Sequence, residues 1–282
     1  MILSPEETRR LQLVELDMLK EFIAICDKLN LRYYVLGGTM LGAVRHKGFI
    51  PWDDDIDVGM LREDYEKFLA QAGDLLPDHL FLQSHSSEPG FYWNAAKIRN
   101  SNTTFIEGPV RHHRIHQGVY IDIFPLDNYP ATKVGQLWTK FRAEVAMQRV
   151  VQECIWDTKL HPLKKAIKHP VRWLYPTLYS AVGAREKLYK SIRHSGMVAN
   201  YCGQWGKKEV VPETWYAEGA QLEFEGIMVT APKEYVKWLT QVYGNYMQLP
   251  PLEKQVTHHV AAVIDIDRPY TEYFDQMSEE VK

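Results

Sequence analysis

The run Asp53-Asp54-Asp55-Ile56-Asp57-Val58-Gly59-Met60 limits this chain's fold more than any other stretch. Its period is two, acid against apolar residue, so an extended backbone puts Asp53, Asp55 and Asp57 on one face and Ile56, Val58 and Met60 on the other. The apolar set asks for a buried strand. Three carboxylates crowded on the opposite face are costly unless a hard cation neutralises them, so the stretch reads as a strand carrying a metal site. A calcium loop starting at Asp53 fails, because its sixth position is Val58 where glycine is needed and its twelfth is Asp64 where glutamate is needed.

The sequence upstream supplies complementary parts. Tyr33 to Leu36 is β-favouring and stops at Gly37-Gly38, after which Thr39 to Val44 begins a short helix. A glycine pair at a helix start lets backbone N–H groups approach a phosphate, aided by the helix's positive end. Arg45, His46 and Lys47 then offer cationic donors for a diphosphate, or a surface basic triplet.

A further carboxylate comes from Gly118 to Phe124, a strand pattern in which Ile121 and Ile123 point one way and Asp122 the other. Pro125 is expected to end that strand, leaving Asp127 as a turn residue. Ser4-Pro5-Glu6-Glu7 is a helix start, and Leu11, Val14, Met18, Phe22, Ile25 and Leu29 make one apolar helical stripe. Arg62 to Ala72 reads as helix, and further strands are expected at 80–83, 95–99 and 221–230, with a helix over 232–243. The fold class is therefore α+β: a mixed β-sheet core flanked by helices.

From about 134 to 195 the pattern turns helical, aromatic and basic, with twelve Lys or Arg against four acids, a local +8 that leaves −11 elsewhere. Pro162, Pro170 and Pro176 divide it into pieces. Expected boundaries are a catalytic core over 1–133, a basic helical insertion over 134–200, and a part over 201–282 that packs back on the core. The three cysteines, Cys26, Cys154 and Cys202, make neither a CxxC pair nor a disulfide framework, which suits a reducing, cytoplasmic setting. No window approaches the length of an apolar membrane span, and the N-terminus lacks the pattern of a signal peptide.

The stretches YYVLGGTMLGAVRHKGFIPWDDDIDVGM, GVYIDIFPLD, and the C-terminal part from Phe224 through YGNYMQLPP closely resemble the LicD family, a branch of the nucleotidyltransferase superfamily. That resemblance implies a nucleotidyltransferase-like core and a transferase moving a phospho-alcohol, phosphocholine from CDP-choline above all, to a sugar hydroxyl of a teichoic acid or other surface glycan precursor, with CMP released. Ribitol phosphate from CDP-ribitol is the eukaryotic variant. Carried onto this chain, it makes Asp55, Asp57 and Asp122 catalytic, adds Asp53 to them as ligands of Mg2+ or Mn2+, and gives Gly37, Gly38, Thr39, Arg45, His46 and Lys47 to the donor phosphates. Trp52, Trp93 and Tyr120 are candidate choline or acceptor contacts, since a quaternary ammonium seeks aromatic faces.

The acceptor of such enzymes is lipid-linked. The basic segment, through Lys164, Lys165, Lys168, Arg172, Arg185, Lys187 and Lys190 with Trp173, Tyr175, Tyr179 and Tyr189, is then expected to touch anionic lipid at the inner face of the membrane, or to be a solvated face. No nucleic acid partner is expected, because no RNA-binding motif occurs. Lys97 and Arg99 read as phosphate contacts on a strand edge or as surface charges, and the pair His258-His259 as incidental. Two other readings stay open: a nucleotidyltransferase using an NTP on a small molecule or RNA end, and a non-catalytic, membrane-associated metal-binding protein.

Overall fold

A computed structural model describes residues 3–154, 168–257, 259 and 261–274. It is an α+β fold built on a seven-stranded mixed sheet. The long strand β6 (Tyr120–Asn128) is its spine. On one side β6 pairs in parallel with β2 (Asp57–Leu61), which pairs with β1 (Tyr34–Val35). On the other side it pairs first with β4 (Ala96–Asn100), backed by β3 (Leu80–Gln83), and then with β7 (Met197–Asn200), backed by β8 (Val210–Pro212).

Pro125 does not end β6, and the register shows why. The Asp122 N–H donates toward β2, to Ile56, so every second residue does the same and position 125 faces the other side. There β4 pairing has stopped at Ile123 and β7 pairing has yet to start at Leu126, so the missing N–H is not needed. Asp127 is accordingly a strand residue, buried against the guanidinium of Arg62 at 2.6 Å, and not part of a turn.

Helix α1 (Pro5–Leu29) begins in a capping box between Ser4 and Glu7. Its stripe enters the main core, where the Phe22 ring lies 5.2 Å from both Tyr33 and Phe68. Truncating so buried a ring costs about 3–5 kcal/mol. Helix α2 (Gly37–His46) follows β1, and α3 (Arg62–Gln71) follows β2.

The helical segment contains α4 (Lys133–Cys154), α5 (Lys168–Leu174) and α6 (Leu178–Lys190). Pro170 falls in the first turn of α5, where its lack of an N–H does no harm, and Pro176 separates α5 from α6; Pro162, Lys164 and Lys165 lie outside the described residues. Its cations do not form one solvated face. Arg185 is buried, and Lys190 is paired with Glu66 and Glu186. Exposed apolar groups stand out instead: Val134, Leu137, Trp138 and Phe141 on α4, and Trp173 on α5. No helix among the described residues is long and apolar enough to cross a membrane.

The expected strand at 221–230 is a hairpin, β9 (Ala220–Phe224) and β10 (Ile227–Ala231), joined through Glu225 and Gly226. Both turn residues have positive φ, which matches the twist of a two-residue hairpin. Helix α7 (Tyr235–Tyr243) follows. Finally β11 (Ala261–Asp265) returns to pair with β5 (Thr104–Glu107), which brings residue 259 back to the acidic run.

Candidate active site

The acidic run enters β2 two residues later than its alternation suggests. The strand begins at Asp57; ahead of it the Asp53 N–H donates to the Ile50 carbonyl, the Asp53 carbonyl accepts from Gln12, and the Ile56 carbonyl accepts from Asp122. The alternation itself survives. Asp54, Ile56, Val58 and Met60 are buried, while Asp53, Asp55 and Asp57 line a cleft of about 570 Å³. Asp122 joins them because it is the register partner of Asp57 on the neighbouring strand. One oxygen each from Asp55, Asp57 and Asp122 lie within 4.8 Å of one another, and so do ligand atoms of Asp54, Asp55 and His259, with Asp55 common to both sets.

The electrostatics of the cluster fit a cation. Burial, then repulsion from Asp55 and its neighbours, pushes the Asp53 and Asp57 carboxyls well above the usual carboxylate range. Burial raises Asp55 to about 6, with His259 opposing and Asp54 and Asp122 adding to the rise. Behind the cluster, α1 buries Glu15, whose carboxyl is raised strongly by burial and by Asp55, Asp54, Asp53 and Asp122. The all-oxygen set of Asp55, Asp57 and Asp122 under such mutual repulsion suits a hard divalent ion such as Mg2+ or Mn2+.

Several positions look different in three dimensions. The start of α2 is pressed against the carboxylates: a Cβ on Gly37, whose φ is +50°, would sit 2.7 Å from an Asp57 oxygen, and one on Gly38 would collide with Asp53. Thr39 does not face the cleft; its hydroxyl accepts the Asp57 N–H at 2.8 Å and so fixes the start of β2. Arg45 lines the cleft, donating to His46 at 2.9 Å and to the Tyr246 carbonyl at 3.0 Å. His46 and Lys47 are not in the cleft wall, and Lys47 is exposed and paired with Glu223 at 3.1 Å.

Trp52 and Trp93 line the cleft, whereas Tyr120 is buried beneath Lys97, whose ammonium lies 3.3 Å from the ring centre. Its face is thus already taken by a cation. Lys97 and Arg99 are neither edge contacts nor surface charges, since β4 is an inner strand and both are buried. Lys97 holds Asp122 at 2.9 Å, and Arg99 holds Glu107 at 2.7 Å.

His259 is the residue sequence reasoning set aside and the fold brings in. Its Nδ1 lies 3.0 Å from Asp54 and its Nε2 3.8 Å from Asp55, while Thr257 donates to Asp54 at 2.5 Å. Burial opposes a charge there, but the Asp54 hydrogen bond and the Asp55 charge lift its pKa to about 9. His258 lies outside the described residues. The cleft wall also holds Phe124, Trp205, Tyr243, Tyr246, Lys254 and Glu209, the last raised to about 7 by burial despite hydrogen bonds from Trp205 and Asn200. Phe124, Tyr243 and Tyr246 fall in the stretches that carry the family resemblance, whereas Trp205, Glu209 and Lys254 carried no local signal and are recruited by the return of the chain.

The family described as LicD/FKTN/FKRP, nucleotidyltransferase domain, matches residues 30–176. The lipopolysaccharide cholinephosphotransferase LicD of Haemophilus influenzae is 31% identical over 258 residues, covering 89% of this chain and 96% of that protein. The ribitol 5-phosphate transferases FKRP of Mus musculus and Homo sapiens are each 34% identical over 74 residues, 25% of this chain and 15% of theirs.

Proposed function

The chain belongs to the LicD/FKTN/FKRP nucleotidyltransferase-domain family, and from that premise we propose that it transfers a phospho-alcohol, phosphocholine from CDP-choline, to a sugar hydroxyl of a teichoic acid or other surface glycan precursor, releasing CMP. The observation that carries this reading is the joining of two features in one cleft: the carboxylates Asp55, Asp57 and Asp122 with oxygens inside 4.8 Å, and walls of Trp52, Trp93, Phe124, Trp205, Tyr243 and Tyr246. Carboxylates of this kind suit phosphoryl transfer, and aromatic faces suit a quaternary ammonium. The similarity to a cholinephosphotransferase along 96% of its length supports choline as the alcohol.

In this mechanism Asp55, Asp57 and Asp122 would hold Mg2+, or Mn2+ in its place, with Asp53 on the same cleft wall as a further ligand. Bound there, such an ion would supply charge to neutralise the donor diphosphate. Arg45 and Lys254, both in the cleft wall, add positive charge for the same phosphates, with the N–H groups of Gly37 and Gly38 at the start of α2. The aromatic wall orients the choline head and excludes water. The acceptor oxygen then forms a bond to the phosphorus that carries choline, the bond from that phosphorus to CMP breaks, and Asp122 takes the hydroxyl proton. His259, held by Asp54, positions Asp55.

The acceptor is lipid-linked in this reading, and the exposed Leu137, Trp138, Phe141 and Trp173 among lysines and arginines suit peripheral contact with anionic lipid at the inner face of the membrane. Sedimentation with phosphatidylglycerol vesicles at low salt tests that contact, and an unbound protein there refutes it. For the reaction, purified protein is incubated with CDP-choline, CDP-ribitol, CDP-glycerol and the four NTPs, with Mg2+ or with EDTA. Mg-dependent CMP release from CDP-choline, absent in Asp55→Ala/Asp57→Ala, is the expected result. Release from another CDP-alcohol would change the alcohol, and pyrophosphate from an NTP would overturn the reading.

A further inference from the structure

A second cavity, of about 600 Å³, opens beside the catalytic cleft and shares Asn200 and Gly203 with it. Helices α4 and α6 form one wall, and the stretch from Ala199 to Val210 the other. Tyrosine rings line it: Tyr189 and Tyr201 stack at 4.2 Å and 10°, and Tyr129 lies 6.2 Å from Tyr201.

Arg185 also lines this cavity, with 4% of its surface exposed. Among the described residues its Nη1 meets the Met147 sulfur at 3.9 Å, its Nη2 donates to the Tyr189 hydroxyl at 3.3 Å, and its Nε is buried without a partner. No carboxylate pairs with it among the described residues, and the adjacent Glu186 is taken by Lys190 at 2.7 Å. The Tyr189 ring, 5.8 Å away, gives it partial compensation. A guanidinium withdrawn from water without an anion is unfavourable, and its planar fork matches a phosphate. Lys133, Lys140 and Lys207 stand around the same cavity, against Glu144 as the single acid among its lining residues.

We propose that this cavity is an acceptor subsite for a phosphorylated glycan: Arg185 takes a phosphate ester of the acceptor, the adjoining sugar lies against Tyr129 and Tyr201, and the opening at Asn200 and Gly203 leads the reacting hydroxyl to the carboxylates. The assignment of the ligand as acceptor rests on the transferase reading; the binding of a sugar phosphate at Arg185 does not. The phosphate can belong to a lipid diphosphate linkage or to a phosphodiester of the glycan itself, because both present the same oxygens.

Calorimetry on the full chain with Mg2+ and no donor tests this, with glucose 1-phosphate, uncharged methyl glucoside, oligo(glycerol phosphate) and a short-prenyl diphosphate sugar as probes and CDP-choline titrated in parallel. We expect glucose 1-phosphate to bind and methyl glucoside not to. Arg185→Gln is expected to weaken the sugar phosphate about tenfold or more while CDP-choline stays within about twofold. The stronger of the two larger probes identifies the phosphate source. Should Arg185→Gln fail to fold by circular dichroism, the exposed pair Lys140→Ala/Lys207→Ala decides, with a loss of about threefold or more expected from two surface contacts. Unchanged sugar phosphate affinity in the variants, equal loss of CDP-choline, or no binding to the wild type would overturn the subsite. Absent CDP-choline binding and CMP release beside intact, Arg185-dependent sugar phosphate binding would instead overturn the transferase reading alone.

Discussion

Lys97 and Asp122 are register partners on adjacent antiparallel strands, and the buried ammonium of the first lies 2.9 Å from the carboxylate of the second. The same ammonium sits over the Tyr120 ring and 3.6 Å from Glu107. A single inner strand thereby sets the charge and direction of a cleft carboxylate from behind.

Removing that cation leaves the buried charge of Asp122 uncompensated, while Glu107 keeps Arg99 at 2.7 Å. Lys97→Met is expected to cost about 3–5 kcal/mol of stability, since breaking one partner of a buried pair strands the other. In the protein that still folds, CMP release should fall about 10–100-fold, the usual effect of losing a group that orients a metal ligand. Chemical denaturation and turnover under one buffer read the two effects separately. Unchanged turnover would mean that Asp122 needs no support.

Asp55 is the carboxylate common to both candidate ligand sets. Asp55→Asn keeps its volume and removes its charge, so turnover should fall by more than the roughly 100-fold ceiling typical of supporting residues. Mg2+ affinity measured by calorimetry should fall with it. A variant that binds Mg2+ as the wild type does would remove Asp55 from the metal site.

His259 touches Asp54 across 205 positions of sequence. His259→Gln retains a hydrogen-bond donor but no charge, and about a 10–100-fold loss of turnover with little change in CDP-choline affinity is expected. If affinity and turnover fall together, His259 contacts the donor directly.

These two residues mark what the sequence discloses and what it does not. Asp55 and Asp122 were legible because a strand's period of two is written in consecutive residues, and Ile56, Val58, Ile121 and Ile123 show which face is buried. The family resemblance added their roles as metal-binding and catalytic carboxylates. His259 was not legible, because its role depends on β11 pairing with β5 and no local pattern encodes that return. Lys97 and Arg99 misled for a related reason: alternation can tell which face a side chain takes but not whether its strand is inner or edge. The continuation of β6 through Pro125 likewise depends on where the pairing of β4 ends and that of β7 begins. Cations of the helical segment read as one basic face, yet the fold buries Arg185 and pairs Lys190.

Gly38 tests how tightly α2 is set against the acids. Its missing Cβ leaves room for the Asp53 carboxylate, which lines the cleft. Gly38→Ala forces that carboxylate to move, so activity should fall about tenfold or more. Stability should change by only about 1 kcal/mol, because alanine favours the helix and offsets part of the clash. Activity equal to the wild type would show that Asp53 has another position open to it.

Glu107 supplies a pH test whose sign is fixed by its surroundings. Burial alone would raise its pKa, but Lys97 and Arg99 outweigh burial and hold it down to about 2 from a usual 4.5. A depressed carboxylate stabilises the fold above its unfolded pKa, and the contribution fades as pH falls through the folded value. A shift of this size corresponds to roughly 3 kcal/mol, present above about pH 5 and lost toward about pH 2. The raised carboxyls of Asp53 and Asp57 act in the opposite direction over acid pH, so the total profile mixes both. Subtraction isolates the one group. The difference in unfolding free energy between the wild type and Glu107→Gln should be large at pH 7 and shrink as pH falls below about 4, by urea denaturation at each pH. A difference independent of pH would show that the variant acts through packing and that Glu107 does not carry the charge that balances Lys97 and Arg99.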